Sequence, residues 1–398
     1  MIRLLVISTL YPNNVQTRHG IFVETRLRHL MATGGVTATV IAPVPWFPFD
    51  DANHPNYVRS ARIPKTEQRH GIEIVHPRYL VVPKVGMLLA PFFLFLSLLW
   101  CYLRLPKQQR QYDLIDGHYY YPDGVAIAFL AKIVRKPFTV TARGTDINLI
   151  PQFTLPKKMI LWAARRASAS ITVCSALKQE MQALGADPAK IHVLRNGVDL
   201  ELFQPKNREV CRAEFELTGK TLVSVGHLIE RKGHHLVIDA MASLPDFTLV
   251  IAGDGEEFDA LRNQVAALDL QDRVRFAGAL SQQQLCDLYN AADALVLASS
   301  REGWANVLLE SMACGTPVVA TDIWGTPEVV ATPAAGLLIP DRSSQAIANT
   351  VRKLFECYPN RAETRLYAEQ FSWDDTVDGL VKLFSSLNKS KPQVEVVS

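Results

Sequence analysis

Two carboxylates, Glu302 and Glu310, flank a short segment that reads as the start of a helix. Glu302 falls in the loop Glu302-Gly303-Trp304-Ala305. Asn306 is a good N-cap ahead of Val307, Leu308, Leu309 and Met312 at helical spacing. A helix start presents backbone N–H groups and the positive end of the dipole, which suit a phosphate. A carboxylate beside such a site can accept hydrogen bonds from hydroxyls. A ribose and a sugar joined by a diphosphate would use all three features. The spacing alone fits an ordinary helix with two solvated acids better, because pairs of glutamates eight apart recur by accident.

These groups need strands to position them. The apolar run 294–297 precedes the loop, Gly315 at the C-cap and Pro317 stop the helix, and 318–320 is a buried strand. A second chemical stretch follows strand 221–226. It runs His227-Leu228-Ile229-Glu230-Arg231-Lys232-Gly233 into a helix ending near Ser243. A cationic loop at a strand end that opens a helix is a reasonable diphosphate site. Strands 247–252, 294–297 and 336–339 and helix 281–291 complete a repeating βα pattern.

The letters around Glu302, EGWANVLLESMACGTPVVATD, resemble the donor-site signature of retaining glycosyltransferases of family 4. GHLIERKG resembles that family's G-R-L-x-x-x-K-G segment, and NGVDLELFQP its hinge-side N-G-V-D-x-x-x-F-x-P segment. The resemblance implies the GT-B architecture: α/β, with two Rossmann-like domains and parallel sheets facing across a cleft. It implies domains at 1–205 (acceptor side) and 206–370 (nucleotide-sugar binding), a helix at 371–387 returning to the first domain, and a disordered tail at 388–398. Lys232 matches the family lysine that contacts the diphosphate. Glu302 matches the residue that positions the donor sugar, and Glu310 the one that accepts from ribose hydroxyls. Gly303, Asn306 and Val307 fall in the same donor signature. Where the family has arginine this chain has His227, so the second cation is either His227 or Arg231. Trp304 and Ala305 also depart from the family's usual aromatic-then-glycine pair.

The first half carries its own candidates. Strand 3–8 opens onto a loop with Arg18, His19 and Gly20, followed by a helix to about Met31. Gly20 is open between a turn glycine and a backbone that approaches a phosphate closely. Residues 112–118 read as a strand ending at His118, and DLIDGHYYYPDG resembles the family segment whose histidine faces the acceptor and donor sugar. After strand 137–141 comes Ala142-Arg143-Gly144-Thr145-Asp146, where many relatives have His-Gly-Thr/Ser-Asp. Arg143 stands in place of that histidine. A permanently charged guanidinium cannot act as a base, but it can hold a phosphate or an acidic acceptor. Asp146 is expected to cap or orient the loop.

The chain has 398 residues, 48% hydrophobic and 20% charged, with a formal net charge of +3. That composition is globular, and the charge is too small to argue for nucleic acid. The six cysteines are scattered without C-x-x-C or Cys/His metal spacing. No acidic D-x-D pair stands at an expected cleft position, so neither a metal nor another cofactor is expected. Met1-Ile2-Arg3 leads straight into the first strand, so a cytoplasmic protein is expected. Residues 43–48 break any regular element, and the stretch after them is irregular and basic. Within it, 85–103 carries no charge. Two readings are open: a deeply buried helix, or an apolar face laid on the inner leaflet beside flanking cations.

The expected reaction is sugar transfer with retention from a nucleotide sugar, a UDP-sugar by resemblance, to a lipid-linked or polysaccharide acceptor in cell-surface or exopolysaccharide synthesis. His118, Lys232 and Glu302 are the expected catalytic groups. Gly20, Arg143, His227, Arg231, Lys232, Gly303, Asn306, Val307 and Glu310 are the expected donor-binding set. Two alternatives are an epimerase of sugar nucleotides with the same architecture and a non-catalytic nucleotide-sugar-binding subunit.

Overall fold

A computed structural model describes residues 1–47, 60–82 and 86–389. The chain divides into two compact units, Met1–Arg195 with the segment from Asp374 onward, and Asn196–Trp373.

The first unit contains β1 (Ile2–Ile7), β2 (Val36–Ile41), β3 (Val44–Trp46), β4 (Thr66–Arg69), β5 (Ile72–Val75), β6 (Arg78–Leu80), β7 (Leu114–His118), β8 (Phe138–Ala142), β9 (Ala169–Thr172) and β10 (Ile191–Val193). Among the described residues the main sheet has the order β10-β9-β8-β7-β1-β2-β5-β4. It is parallel except for β4, which runs antiparallel to β5. β7, β8 and β9 are buried along their whole length, as expected of parallel strands with both faces covered. The order reverses around β1, which pairs with β2 on one side and β7 on the other. At such a reversal the connections leave in opposite directions and open a crevice at the C-terminal strand ends.

The second unit contains β11 (Lys220–Val225), β12 (Phe247–Ala252), β13 (Val274–Gly278), β14 (Ala294–Leu297), β15 (Val318–Thr321) and β16 (Gly336–Ile339). Its sheet is parallel, in the order β13-β12-β11-β14-β15-β16, and it reverses between β11 and β14. Leu222, Ile238, Leu249, Val296 and Ile347 lie in one core that joins sheet and helices.

Several expectations are corrected. Residues 43–48 do not exclude a strand: Val44–Trp46 pairs in parallel with Arg78–Leu80. Pro45 is tolerated because in this parallel pair alternate residues donate to the partner: Val44 N–H reaches Pro77 O, and Val81 N–H reaches Trp46 O. The basic stretch that follows is not wholly irregular, since it contains β4, β5, β6 and the helix Gly86–Arg104. That helix is not deeply buried. Only Pro91, Leu94, Leu98 and Cys101 are buried, while Phe92, Trp100 and Leu103 are more than half exposed. By length and composition it is able to cross a membrane. Strands before and after it share one sheet, which excludes a crossing.

The units part at Arg195 rather than near Pro205. The segment after Arg195 is held within the second unit: Val198 N–H reaches Phe371 O (2.9 Å), and Arg365 donates to Phe203 O (2.7 Å). The last helix is Asp374–Lys389, not 371–387, and it packs on the helix Ile21–Ala32 of the first unit. Phe371 and Trp373 belong to the second unit instead, with Trp373 buried. Asn388 and Lys389 continue the helix, and the rest of the expected tail, 390–398, lies outside the described residues.

Candidate active site

In the second unit, the loops after β11 and β14 bring the charged groups together at the point where the strand order reverses. Lys232 Nζ donates to Glu302 Oε1 at 2.6 Å, and Ser299 Oγ donates to the same oxygen at 2.7 Å. Arg231 Nη1 lies 3.9 Å from Glu302 Oε2 and donates to Arg301 O at 2.7 Å. Gly233 lets this loop close. Its φ is +72°, and a Cβ there would meet Ala298 O at 2.1 Å. Burial pushes the Glu302 carboxyl up, but Lys232 and then Arg231 outweigh it, and the group stays ionised below its ordinary range.

Glu310 is half-buried on the helix Asn306–Ala313 and accepts from the Tyr289 hydroxyl at 3.1 Å. Burial of the carboxyl raises its pKa to about 7. Asn306 is not the N-cap. Ala305 holds that place, and the Asn306 side chain accepts from Asn196 Nδ2 at 3.3 Å. Cys314 is the C-cap, and Gly315 follows it in the left-handed conformation, φ +78°. Gly303 is buried and Val307 half-buried at the helix start. Trp304 is buried against Phe371, with ring centroids 6.1 Å apart, so it serves the core of this unit.

The structure separates the two candidates for the second cation. His227 is largely exposed and points to Asp254, 3.5 Å away. Arg231 is beside Glu302.

In the first unit a second cluster forms along β7 and β8, joined by Arg26 from the helix Ile21–Ala32. Arg26 Nη2 donates to Asp116 Oδ2 (2.9 Å), and Arg26 Nη1 donates to Thr141 Oγ1 (2.8 Å). Thr139 Oγ1 donates to Asp116 Oδ1 (2.9 Å). Arg143 Nη2 meets His118 Nδ1 at 2.5 Å, and His118 Nε2 lies 3.5 Å from Asp116 Oδ2. A guanidinium only donates, so Nδ1 accepts and the imidazole proton resides on Nε2, facing Asp116. Burial lowers the pKa of His118 to about 3; Asp116 opposes this, and Arg143 and Arg26 reinforce it. His118 is 1% exposed, and both of its nitrogens are engaged. Nδ1 is taken up by Arg143, and Nε2 faces Asp116.

Asp146 accepts from the N–H groups of Arg143 (3.0 Å), Gly144 (2.8 Å) and Tyr120 (2.8 Å), which orients the loop as expected. Gly20 has φ +67°, and its Cα lies against Leu10, where a Cβ would come within 2.4 Å of the carbonyl. This close packing accounts for the glycine without a ligand.

Sequence reasoning missed Arg26, Asp116, Ser299, Tyr289 and Arg342. Arg342 donates to Ala298 O (2.9 Å), Glu230 O (2.9 Å) and the Glu230 carboxylate, tying the Lys232 turn to the end of β14. Asp116 lies inside DLIDGHYYYPDG and could have been read there beside His118; Arg26, Ser299, Tyr289 and Arg342 fall outside the quoted motifs.

A family model described as Glycosyltransferase Family 4 matches residues 26–202, and one described as Glycosyl transferases group 1 matches 207–371. A D-inositol 3-phosphate glycosyltransferase of Jonesia denitrificans is 30% identical over 310 residues, covering 70% of this chain and 72% of that protein. The chain belongs to the family 4 glycosyltransferases. Bacillus subtilis TuaC, named for a role as a teichuronic acid biosynthesis glycosyltransferase, is 29% identical over 360 residues, 88% of each chain. The fold of this glycosyltransferase is GT-B. Anabaena HepE, solved in complex with UDP-glucose, matches 97% of the chain and is itself fully covered, with a TM-score of 0.73 at 20% identity. The first-unit cluster of this glycosyltransferase falls inside the family 4 match and the second-unit cluster inside the group 1 match.

Proposed function

We propose that this glycosyltransferase takes a UDP-sugar as donor and a lipid-linked or polysaccharide acceptor, and transfers the sugar with retention at the anomeric carbon in cell-surface polysaccharide synthesis. The observation that carries the donor assignment is the cluster of Lys232, Arg231 and Glu302, with Glu310 on the adjoining helix, at the strand-order reversal of the second sheet. The UDP-glucose held by HepE and the name of TuaC support the donor and pathway classes.

In this mechanism the diphosphate takes Lys232 and Arg231 as partners, along with the N–H groups at the start of the Asn306–Ala313 helix. That stabilises the leaving group as the glycosidic bond breaks. Glu302, released from Lys232, remains ionised and accepts from a sugar hydroxyl. Glu310 accepts from the ribose hydroxyls. The acceptor oxygen attacks from the face the leaving group departs, and the leaving phosphate takes its proton, so no enzyme nucleophile is needed. The cations meet the diphosphate charge without a metal. His118 acts as a positioning residue that fixes Arg143, whose guanidinium faces an acidic acceptor group.

The first unit also supports peripheral attachment to the inner membrane face. Met87, Leu88, Phe92, Trp100 and Leu103 are exposed on one helix, and Phe129, Ile133, Phe153 and Leu155 on neighbouring segments. The three helices Gly86–Arg104, Val125–Val134 and Thr154–Arg166 carry no acid and include Arg104, Lys132, Lys157, Lys158, Arg165 and Arg166. An apolar face flanked by these cations complements an anionic bilayer.

The test is calorimetry with UDP, GDP, ADP and TDP and their sugars on wild type, Glu310→Ala and Lys232→Ala. UDP and one UDP-sugar are expected to bind wild type and to lose affinity in both variants. Folded protein that binds no nucleotide would sink the donor assignment.

A further inference from the structure

Beside the exposed helix lies a groove of about 680 Å³, between Gly86–Arg104 on one side and β3, β5 and β6 on the other. That volume is within the roughly 300–1,000 Å³ of ordinary ligand sites. Trp46, Leu80, Phe93, Leu96, Trp100 and Cys101 supply its apolar walls. Leu96 and Trp100 are 43% and 57% exposed, so the groove opens directly onto the apolar helix face. It is not a seam left over from core packing, because the residues that bury this helix (Pro91, Leu94, Leu98) lie on its other side and only Cys101 is shared.

The charge in the groove is unbalanced. Lys65, Arg78 and Arg104 line it against one carboxylate, Glu73, which already accepts from Gln109 Nε2 at 2.7 Å. Arg104 stacks on Trp100, its guanidinium carbon 3.5 Å from the ring centroid. Arg78 donates through Nη2 to the carbonyls of Ala61 and Ile63, while its buried Nη1 has no hydrogen-bond partner among the described residues. A buried N–H left unmatched costs free energy that an anionic oxygen would recover. His76 closes the inner end of the groove. Both its nitrogens are used, on Ala42 O (2.9 Å) and Glu67 (2.9 Å), and it also lines a smaller pocket reaching Thr9 and His19 beyond β1.

The geometry points to a binding site for one hydrocarbon chain of a phosphate-headed lipid, with Arg78 and Arg104 meeting the phosphate and the aromatic walls holding the chain. The chain enters sideways from the apolar helix face. This rests on the reading of the first unit as the side that meets a lipid-linked acceptor, and it assigns the hydrocarbon part of that acceptor its own place on the protein.

The experiment is calorimetry on the full chain without membranes, using farnesyl phosphate below its aggregation concentration, with farnesol and inorganic phosphate as separate arms. Farnesyl phosphate is expected to bind at least about tenfold tighter than either arm, since both chain and headgroup contribute. Leu80→Glu, which lies off the exposed helix, is expected to weaken it about tenfold or more. Trp46→Ala, at an exposed position, does the same and covers the case in which Leu80→Glu does not fold. Phe92→Glu with Leu103→Glu is expected to leave farnesyl phosphate binding unchanged while abolishing attachment to anionic vesicles. UDP binding should be unchanged in all of these variants, so failure of the groove is separable from failure of the donor reading. Vesicle binding without farnesyl phosphate binding would overturn the proposal. So would equal affinity for inorganic phosphate, or dimerisation that Leu80→Glu abolishes.

Discussion

The two charged clusters lie near the reversal of each sheet, the first on β7 and β8 themselves and the second in the loops beyond β11 and β14, and they are built on opposite principles. In the first unit Arg26, Asp116, Thr139, Thr141 and His118 form a closed circuit, and Arg143, held at its edge by His118, also lies over the Phe22 ring. Side chains of Arg26 and Asp116 are each 3% exposed. In the second unit the circuit is open. Lys232 and Glu302 hold each other at the edge of the site, and Glu310 has a pKa of about 7 instead of a countercharge. A closed circuit maintains geometry; an open one can exchange its partners for a ligand. Arg143 apart, the first cluster should therefore reveal itself in stability and the second in binding and rate.

The hardest test of that contrast is Asp116→Ala. It leaves the buried Arg26 guanidinium uncompensated, and the first-unit transition in urea should lose about 3–5 kcal/mol. A loss below about 1 kcal/mol would mean the circuit is not structural. Lys232→Ala is the counterpart. Folding should lose less than in Asp116→Ala, because Arg231 and Ser299 still face the Glu302 carboxylate, while kcat falls on the order of 100-fold to 1,000-fold, the effect of removing one preorganised donor from a developing charge. If the unfolding midpoint moved as much as the rate, the two clusters would not differ in kind.

Glu310 sharpens the comparison through pH. Its folded pKa lies above the ordinary carboxyl value of 4.5, so the folded chain holds an extra proton between about 4.5 and 7. Its contribution to stability is complete below 4.5 and lost as pH rises through 7. Ribose hydroxyls favour the ionised form, so UDP affinity should rise from pH 6 to 8 in wild type and be flat in Glu310→Gln. Nucleotide titrations across that range decide it. His118 should behave in the opposite sense, neutral with its proton on Nε2 down to pH about 3. Nitrogen-edited NMR would show the proton on Nδ1 if the Arg143 contact were wrong.

Smaller still is the surface contrast. Phe92→Glu with Leu103→Glu should weaken binding to anionic vesicles roughly tenfold or more per residue while leaving the melting temperature nearly unchanged, because both side chains are already exposed. Arg342→Ala should lower UDP affinity only a few-fold. It loosens the turn that carries Lys232 without touching the ligand, so kcat at saturating donor should hold.

Much of the second unit was legible. Glu302, Glu310 and Lys232 lie in contiguous motifs whose helix start, strand ends and glycines are set by near neighbours, and 247–252, 294–297 and 336–339 are strands with those bounds. Less of the first unit could be read, because its chemistry is assembled from afar. Arg26 reaches Thr141 across 115 positions and Asp116 across 90. No local pattern announces such a pair. The same limit hid β3 behind its prolines, since its partner β6 lies far along the chain.

The sequence by itself determined the family, the two α/β halves and the loop that carries Lys232, since periodicity, turn residues and short motifs are local properties. It also marked 85–103 as uncharged. Only the tertiary structure decided which side of that helix is covered, that Arg231 and not His227 adjoins Glu302, and that His118 is locked between Arg143 and Asp116. Those outcomes depend on which distant groups share a desolvated space, and desolvation is a property of the packed chain rather than of any segment of it.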